Sequence, residues 1–379
     1  MSGLIVHEWI SRHGGSENVL EIMAKALPDD EIFCLWSDAS DRFPGRTIRE
    51  SWLSRSPLRR AKAAALPFMA ATWRAVDLSS YDSVVVSSHA FAHHVGLRKL
   101  RAVIPIHVYV HTPARYIWAA DLDARGLHPL ARAMAPMFRI LDKRAASEGP
   151  RFAANSHFVR RRIEDAWEQT SEVIHPPVRI EKLRSVTDWS TVLSEKDAAI
   201  LEGLPREFIL GASRFVAYKK LERVIEVGNA CQTPVVLAGS GPEESFLRER
   251  ASESPIPVFF VHSPSDELLY ALYQRAMLFV FPPIEDFGIM PVEAMALGTP
   301  VLVNPIGGAV ESVHLLGGGE VLPNGSPSDL QEAVATALGK DMSHAVRNAD
   351  LLSESAFITN ILKWKAGHAS MNVGERSAP

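Results

Sequence analysis

Short β-branched apolar runs recur along this chain with helix-length stretches between them, and the whole series then begins again. GLIVHEWI, EIFCLWS, SVVVSSH, IPIHVYVHT, RFAANS and SEVIHPP fill the first half, and FILGAS, PVVLAGSG, PVFFVH, MLFVFPP and PVLVNP the second. Strands that are apolar on both faces and separated by helices belong to a parallel sheet covered on both sides. Two such series predict an α/β chain of two doubly wound, Rossmann-like domains in tandem. The 379 residues are enough for two cores of that kind. A polar stretch after His175-Pro176-Pro177 reads as linker plus surface helix, which puts the boundary between 180 and 205. The predicted domains are residues 1–180 and 181–349. A closing helix over 350–367 carries Leu351, Leu352, Phe357, Ile361, Leu362 and Trp364 at helical spacing.

Composition removes several function classes. Cys34 and Cys231 are the only cysteines and have no CxxC neighbourhood, so a disulfide framework and a thiolate zinc site are both unsupported. The N-terminus lacks a basic region ahead of its short apolar run, and no apolar stretch approaches the length of a membrane span. A cytoplasmic, non-integral protein is expected. A net charge of −4 argues against general nucleic-acid binding. One segment departs from that average. Arg46, Arg49, Arg55, Arg59, Arg60, Lys62 and Arg74 face Glu50 alone and are interleaved with Trp52, Leu53, Leu58, Leu66, Phe68 and Trp73. That mixture suits peripheral contact with an anionic membrane surface, although Pro57 and Pro67 limit any single helix across it.

Parallel sheets bind ligands at the carboxyl ends of their strands, and the unusual residues of this chain follow its predicted strands. After MLFVFPP comes PPIEDFGIMPVEAMALGTPVLV, Pro282 to Val303, with Glu285 in a loop and Glu293 on a helix that Pro291 helps to start and Gly298 closes. The loop presents the backbone N–H groups of Phe287, Gly288 and Ile289, where an anion or a sugar hydroxyl can be held. After FILGAS, Arg214 and Lys219 supply two cations able to neutralise a leaving diphosphate without a metal. Gly239 and Gly241 follow the next strand and serve either a nucleotide pocket or a simple turn. Gly14 and Gly15 follow the first strand, where a glycine pair either admits a phosphate or sugar to the backbone or makes a tight turn. Their spacing is not that of a dinucleotide fingerprint. His111 ends the IPIHVYV strand. Asp121 and Asp123 form an Asp-x-Asp pair, but it does not end a strand and has no supporting ligands, so no metal site is predicted.

EDFGIMPVEAMALGTPVL resembles the ExxxxxxxE signature of family 4 retaining glycosyltransferases, and HTPARYIW resembles the HTPxRYxW segment of their bacterial polysaccharide and O-antigen mannosyltransferases. WLSRSPLRRAKAAALPF, VDLSSYDSVVVSSHAFAHHVG, FAANSHFVRRRI and VIHPPV extend the likeness over nearly the whole chain. Ala119, where an acidic residue is usual, and Gly149-Pro150 depart from the pattern on the acceptor side.

The resemblance implies a GT-B architecture with the site in a central cleft and a final helix returning to the first domain. It implies retaining transfer of a hexosyl group, mannosyl first, from a GDP- or UDP-sugar to a glycan, lipid-linked or small-molecule acceptor, without metal or other cofactor. It implies that His111, Arg214, Lys219 and Glu285 are catalytic and that Gly14, Gly15, Gly239, Gly241, Phe287, Gly288, Ile289 and Glu293 hold the donor. The same fold also serves non-catalytic nucleotide- or sugar-binding proteins and nucleotide-sugar epimerases. An inert binder would not need His111, Arg214, Lys219, Glu285 and Glu293 together.

Overall fold

A computed structural model describes residues 3–12, 14–60, 62–119 and 129–375. The Asp121 and Asp123 pair lies outside the described residues. The chain divides into two units, Met1–Pro177 with Glu354–Pro379, and Val178–Ser353.

The first unit is a seven-stranded, wholly parallel sheet. Its strands are β1 (Gly3–His7), β2 (Glu31–Cys34), β3 (Ile48–Glu50), β4 (Ser83–Ser88), β5 (Ile106–Val110), β6 (Arg151–Ala154) and β7 (Ser171–Val173), in the order β3-β2-β1-β4-β5-β6-β7. The second unit repeats the plan with β8 (Ile209–Ala212), β9 (Val235–Gly239), β10 (Val258–His262), β11 (Leu278–Phe281), β12 (Val301–Val303) and β13 (Gly319–Val321), ordered β10-β9-β8-β11-β12-β13. Every predicted strand is present. β3 and β13 were not foreseen, because each has three residues, lies at a sheet edge and lacks an apolar run. In each sheet the order reverses once, between β1 and β4 and between β8 and β11. The loops leaving the carboxyl ends of those neighbouring strands turn to opposite faces and leave a crevice.

Alternating side chains of each sheet fill a core on either face. In the first unit one face packs Val6, Trp36, Trp73, Val86 and Trp167, and the other packs Ile5, Leu20, Ile32 and Tyr109. The closing helix, Glu354–Glu375, begins four residues later than predicted, after the turn Ala349–Leu352, and belongs to this second face. Phe357 meets Tyr109 edge-on at 5.6 Å, Trp364 meets His107 at 5.0 Å, and Lys365 reaches Asp30 at 3.3 Å.

Two expectations need correction. The stretch 180–205 is not an exposed linker. Ile180, Leu183, Trp189, Leu201 and Leu204 are buried in the second unit, and Trp189 packs on Tyr270 at 4.9 Å. Their wide spacing made the segment look polar. The segment from Arg46 to Arg74 does not leave all its cations free for a membrane surface either. It forms β3, two 3₁₀ turns (Trp52–Arg55 and Pro57–Arg60) and the helix Lys62–Arg74, which runs through Pro67. Arg46 donates to the carbonyls of Ala24 and Leu27 at the carboxyl end of the helix Gly15–Ala26, where a cation is favoured. Arg49, Arg59 and Arg74 pair with Glu31, Asp38 and Glu148, while Leu53 and Trp73 are fully buried.

Truncating Phe357 to Ala should cost about 3–5 kcal/mol, the range for a buried aromatic that leaves a cavity. Urea unfolding followed by tryptophan fluorescence measures it. A loss under about 1 kcal/mol would show that the helix does not share this core.

Candidate active site

In the second unit the reversal point lies between β8 and β11, and the predicted cations and carboxylate sit on the loops that leave these two strands. The β8 loop is held against the β9 turn by backbone bonds, Ser213 N–H to the Ala238 carbonyl (3.1 Å) and Phe215 N–H to the Ser240 carbonyl (2.8 Å). Gly239 and Gly241 have φ of +144° and +154°, and a β-carbon on them would lie 1.9 Å from the Ser213 oxygen and 2.3 Å from the Phe215 oxygen. Their structural role is this close approach, which fixes the loop carrying Arg214. Arg214 is exposed and donates to the Tyr218 hydroxyl at 2.9 Å.

Lys219 is nearly buried, and its ammonium forms an ion pair with Glu285. It also lies 5.2 Å from the Tyr218 ring centre and 5.9 Å from that of Phe281. Lys219 and Glu285 have separate expected roles, but folding makes them each other's counter-ion. Lys220, its neighbour, is exposed with left-handed backbone.

Glu285 sits on a braced loop. Its carbonyl accepts from Gly308 N–H at 2.8 Å, and Asn304 Nδ2 donates to the Pro282 carbonyl at 2.7 Å. A β-carbon at Gly308 would meet the Asp286 oxygen at 2.1 Å, so the turn after β12 can close on this loop only with glycine there. The helix Ile289–Ala296 follows, with Pro291 in its first turn and Gly298 (φ +89°) just past its end. Among the described residues the amides of Gly288 and Ile289 have no acceptor, so the positive end of the helix is open. Phe287 is buried. Glu293 is half-buried on the helix, and its carboxyl is pushed up to about 7, first by burial and then by Asp266, with Lys182 and Arg179 opposing.

In the first unit the predicted residues also gather at the reversal point, here β1 and β4. Gly14 precedes the helix Gly15–Ala26, and a β-carbon on it would lie 2.0 Å from Glu17 Oε2. Glu17 is buried and accepts from Ser11 N–H (3.1 Å) and the Ser16 hydroxyl (2.8 Å). The Ser11 amide and the Ser16 hydroxyl hold this buried carboxylate in place. Gly15 has open space where a side chain would be. His111 follows β5, and its Nε2 lies 2.8 Å from Ser87 Oγ. Burial, then His89 and His7, lower its pKa well below the ordinary value, which keeps the ring neutral at physiological pH.

Two groups among the described residues have the spacing to hold a metal ion, His7 with Glu8 and His89, and His93 with His94 and Asp142. In both, hydrogen-bond donors already surround the carboxylate. Glu8 accepts from Ser88 Oγ and the amides of His89, Ala90 and Ala92 at 2.8–3.2 Å. Asp142 accepts from His94 Nε2 at 3.0 Å and from the indoles of Trp118 and Trp167 at 2.7 Å. His7, Ser87, His89, Gly307 and Gly308 were missed from the sequence. The Gly-Gly pair after PVLVNP was the legible signal for the last two.

The raised carboxyl of Glu293 predicts a pH-dependent effect on stability. A folded-state value above the usual 4.5 means that the penalty is absent below that value and complete above about 7. Glu293→Gln should therefore raise the melting temperature at pH 8, with the gain shrinking toward pH 4.5. An equal shift at both pH values would contradict the buried-carboxylate account.

A family model described as "Glycosyltransferase Family 4" matches residues 13–182, and one described as "Glycosyl transferases group 1" matches residues 194–349. The D-rhamnosyltransferase WbpZ of Pseudomonas aeruginosa is 30% identical over 136 residues, 34% of this chain and 35% of that protein. O-antigen chain mannosyltransferase C of Escherichia coli is 30% identical over 118 residues, 30% and 32% of the two chains. The matched stretches thus span about a third of these relatives' lengths. The crystal structure of Anabaena HepE in complex with UDP superposes with a TM-score of 0.67 at 16% identity, covering 97% of this chain and all of that one, so the fold is shared. Two parallel-sheet Rossmann-like units, each matched by its own family model in the same order along the chain, place this protein among the family 4 glycosyltransferases of GT-B fold.

Proposed function

We propose that this protein is a retaining, metal-independent glycosyltransferase that moves a hexosyl group, mannosyl as first choice, from a GDP- or UDP-sugar to a glycan, lipid-linked or small-molecule acceptor. The observation that carries this proposal is the Lys219–Glu285 ion pair at the β8/β11 reversal point, close in sequence to the open amides of Gly288 and Ile289. Arg214 and Lys219 supply fixed positive charge for a leaving diphosphate, the task that a divalent ion performs in other transferases. The open helix end favours negative charge or sugar hydroxyls. Glu285 accepts hydrogen bonds from donor hydroxyls, Glu293 from the ribose, and His111 contacts substrate. The rhamnosyl- and mannosyltransferase relatives support the choice of sugar, and the UDP complex of HepE supports a nucleoside diphosphate donor. Retention is supported by the family resemblance.

We also propose peripheral membrane contact, on a narrower basis than the sequence suggested. Trp52 and Phe68 are 55% and 46% exposed and pack edge-on against each other at 6.3 Å. Arg55, Arg59 and Arg60 line a surface cavity of about 690 Å³, and among the described residues Arg55 and Arg60 have no carboxylate partner. Exposed aromatics beside unpaired arginines suit an anionic interface, where each Lys or Arg contributes about 1 kcal/mol. No helix among the described residues is long and apolar enough to cross a membrane.

Glu285→Ala should lower turnover by at least about a hundredfold in a folded protein, on the scale of losing one preorganised contact. Arg214→Ala should weaken nucleoside diphosphate binding in calorimetry as well as slow transfer, while EDTA leaves the rate unchanged. Loss of activity on chelation, restored by magnesium or manganese, would overturn metal independence. Co-sedimentation with liposomes should rise with anionic lipid and fall with salt, and Trp52→Ser with Arg55→Ser should abolish it. Absence of binding to anionic vesicles at low salt would overturn the membrane contact.

A further inference from the structure

Beside His111 in the first unit lie two buried groups that the proposed reaction does not use directly. His7 ends β1 and Ser87 lies near the end of β4, and neither exposes any surface. His7 Nδ1 is 3.1 Å from the Ser87 carbonyl oxygen and 3.0 Å from Ser87 Oγ. His111 Nε2 is 2.8 Å from the same hydroxyl. Three ring and hydroxyl atoms therefore form one chain across β1, β4 and the end of β5.

The direction of donation along this chain follows from its first contact. A carbonyl oxygen can only accept, so His7 Nδ1 must carry the proton that faces it. Burial keeps His7 below its ordinary pKa, so the ring holds a single proton, and His7 Nε2, buried with no partner among the described residues, is bare. The Nδ1–H is shared between the two oxygens of Ser87. Ser87 Oγ is then an acceptor toward His7, and its one proton is free to go to His111 Nε2. A neutral His111 that accepts at Nε2 carries its own proton on Nδ1. The opposite direction would turn the Nδ1 lone pair of His7 onto the Ser87 carbonyl at 3.1 Å and bury an N–H at His7 Nε2 with no acceptor. Among the described residues His111 Nδ1 has no partner, and the ring is half-buried rather than sealed.

We infer that His7 and Ser87 are positioning residues that fix His111 as its Nδ1–H tautomer, so that it meets substrate as a neutral hydrogen-bond donor and not as a base. The role at substrate rests on the proposed function. The tautomer itself does not. Such a donor suits an oxygen of the sugar or of the acceptor, and it withholds the lone pair that general-base chemistry at this position would need.

Full-length protein labelled with ¹⁵N at histidine, in two-bond ¹H–¹⁵N correlation spectra, reads the tautomer with no substrate present, and His111→Gln assigns the signals by removing them. The wild type should show His111 protonated at Nδ1 and bare at Nε2. Ser87→Ala should shift the ring toward the Nε2–H form and lower kcat about tenfold with little change in donor KM, and Ser87→Thr should restore both. His7→Asn, which keeps an N–H in place of Nδ1, should retain the wild-type pattern. An Nε2–H signal in the wild type, or an unchanged tautomer in Ser87→Ala, would overturn the inference. Full turnover in His111→Gln would instead remove His111 from the reaction, which is a failure of the proposed function and separable from the spectrum.

Discussion

Everything functional in this protein depends on a single topological constraint, the reversal of strand order in a parallel sheet. Right-handed crossovers send successive helices to one face until the order turns, and at that point adjacent strands release their loops in opposite directions. The chain does this twice, at β1/β4 and at β8/β11. His7 and Ser87 are bonded across the first reversal and Lys219 and Glu285 across the second. Positions 80 and 66 residues apart in sequence become hydrogen-bonded neighbours because the reversals set their strands side by side.

The two reversal points are built from different chemistry. In the second unit an ion pair, an exposed arginine and an open helix end stand together, braced by glycines that let turns pack against loops without a side chain between them. In the first unit the charges are mostly spent internally. Glu8 is consumed by the amides after β4, and Glu17 folds back over the start of its own helix. What remains near solvent is a neutral imidazole whose hydrogen-bonding face is set from behind.

The closing helix gives the first unit a boundary that no single break in the sequence defines. Residues after Ser353 return to cover the face holding Ile5, Leu20 and Tyr109, so the unit is discontinuous and its core requires both ends of the chain. Phe357, Ile361 and Trp364 were legible as one apolar stripe, since a helical period survives in any context. Their partners on β1 and β5 were not legible, because nothing local specifies which sheet face they meet.

The sequence by itself determined the two parallel sheets, the helix from Ile289 with its proline start and glycine end, and the placement of Arg214, Lys219, His111 and Glu285 after strands. These are consequences of period, breaker residues and strand polarity, all local in range. Only tertiary structure decided that Lys219 pairs with Glu285 rather than standing free, that Gly239 and Gly241 make room for the Arg214 loop, and that Arg49, Arg59 and Arg74 are committed to Glu31, Asp38 and Glu148. It also decided that 180–205 is core and that Ser87 stands between two imidazoles. Pairings of this kind depend on which strand lies beside which and in what register, and a one-residue slip along β4 would turn Ser87 to the opposite face.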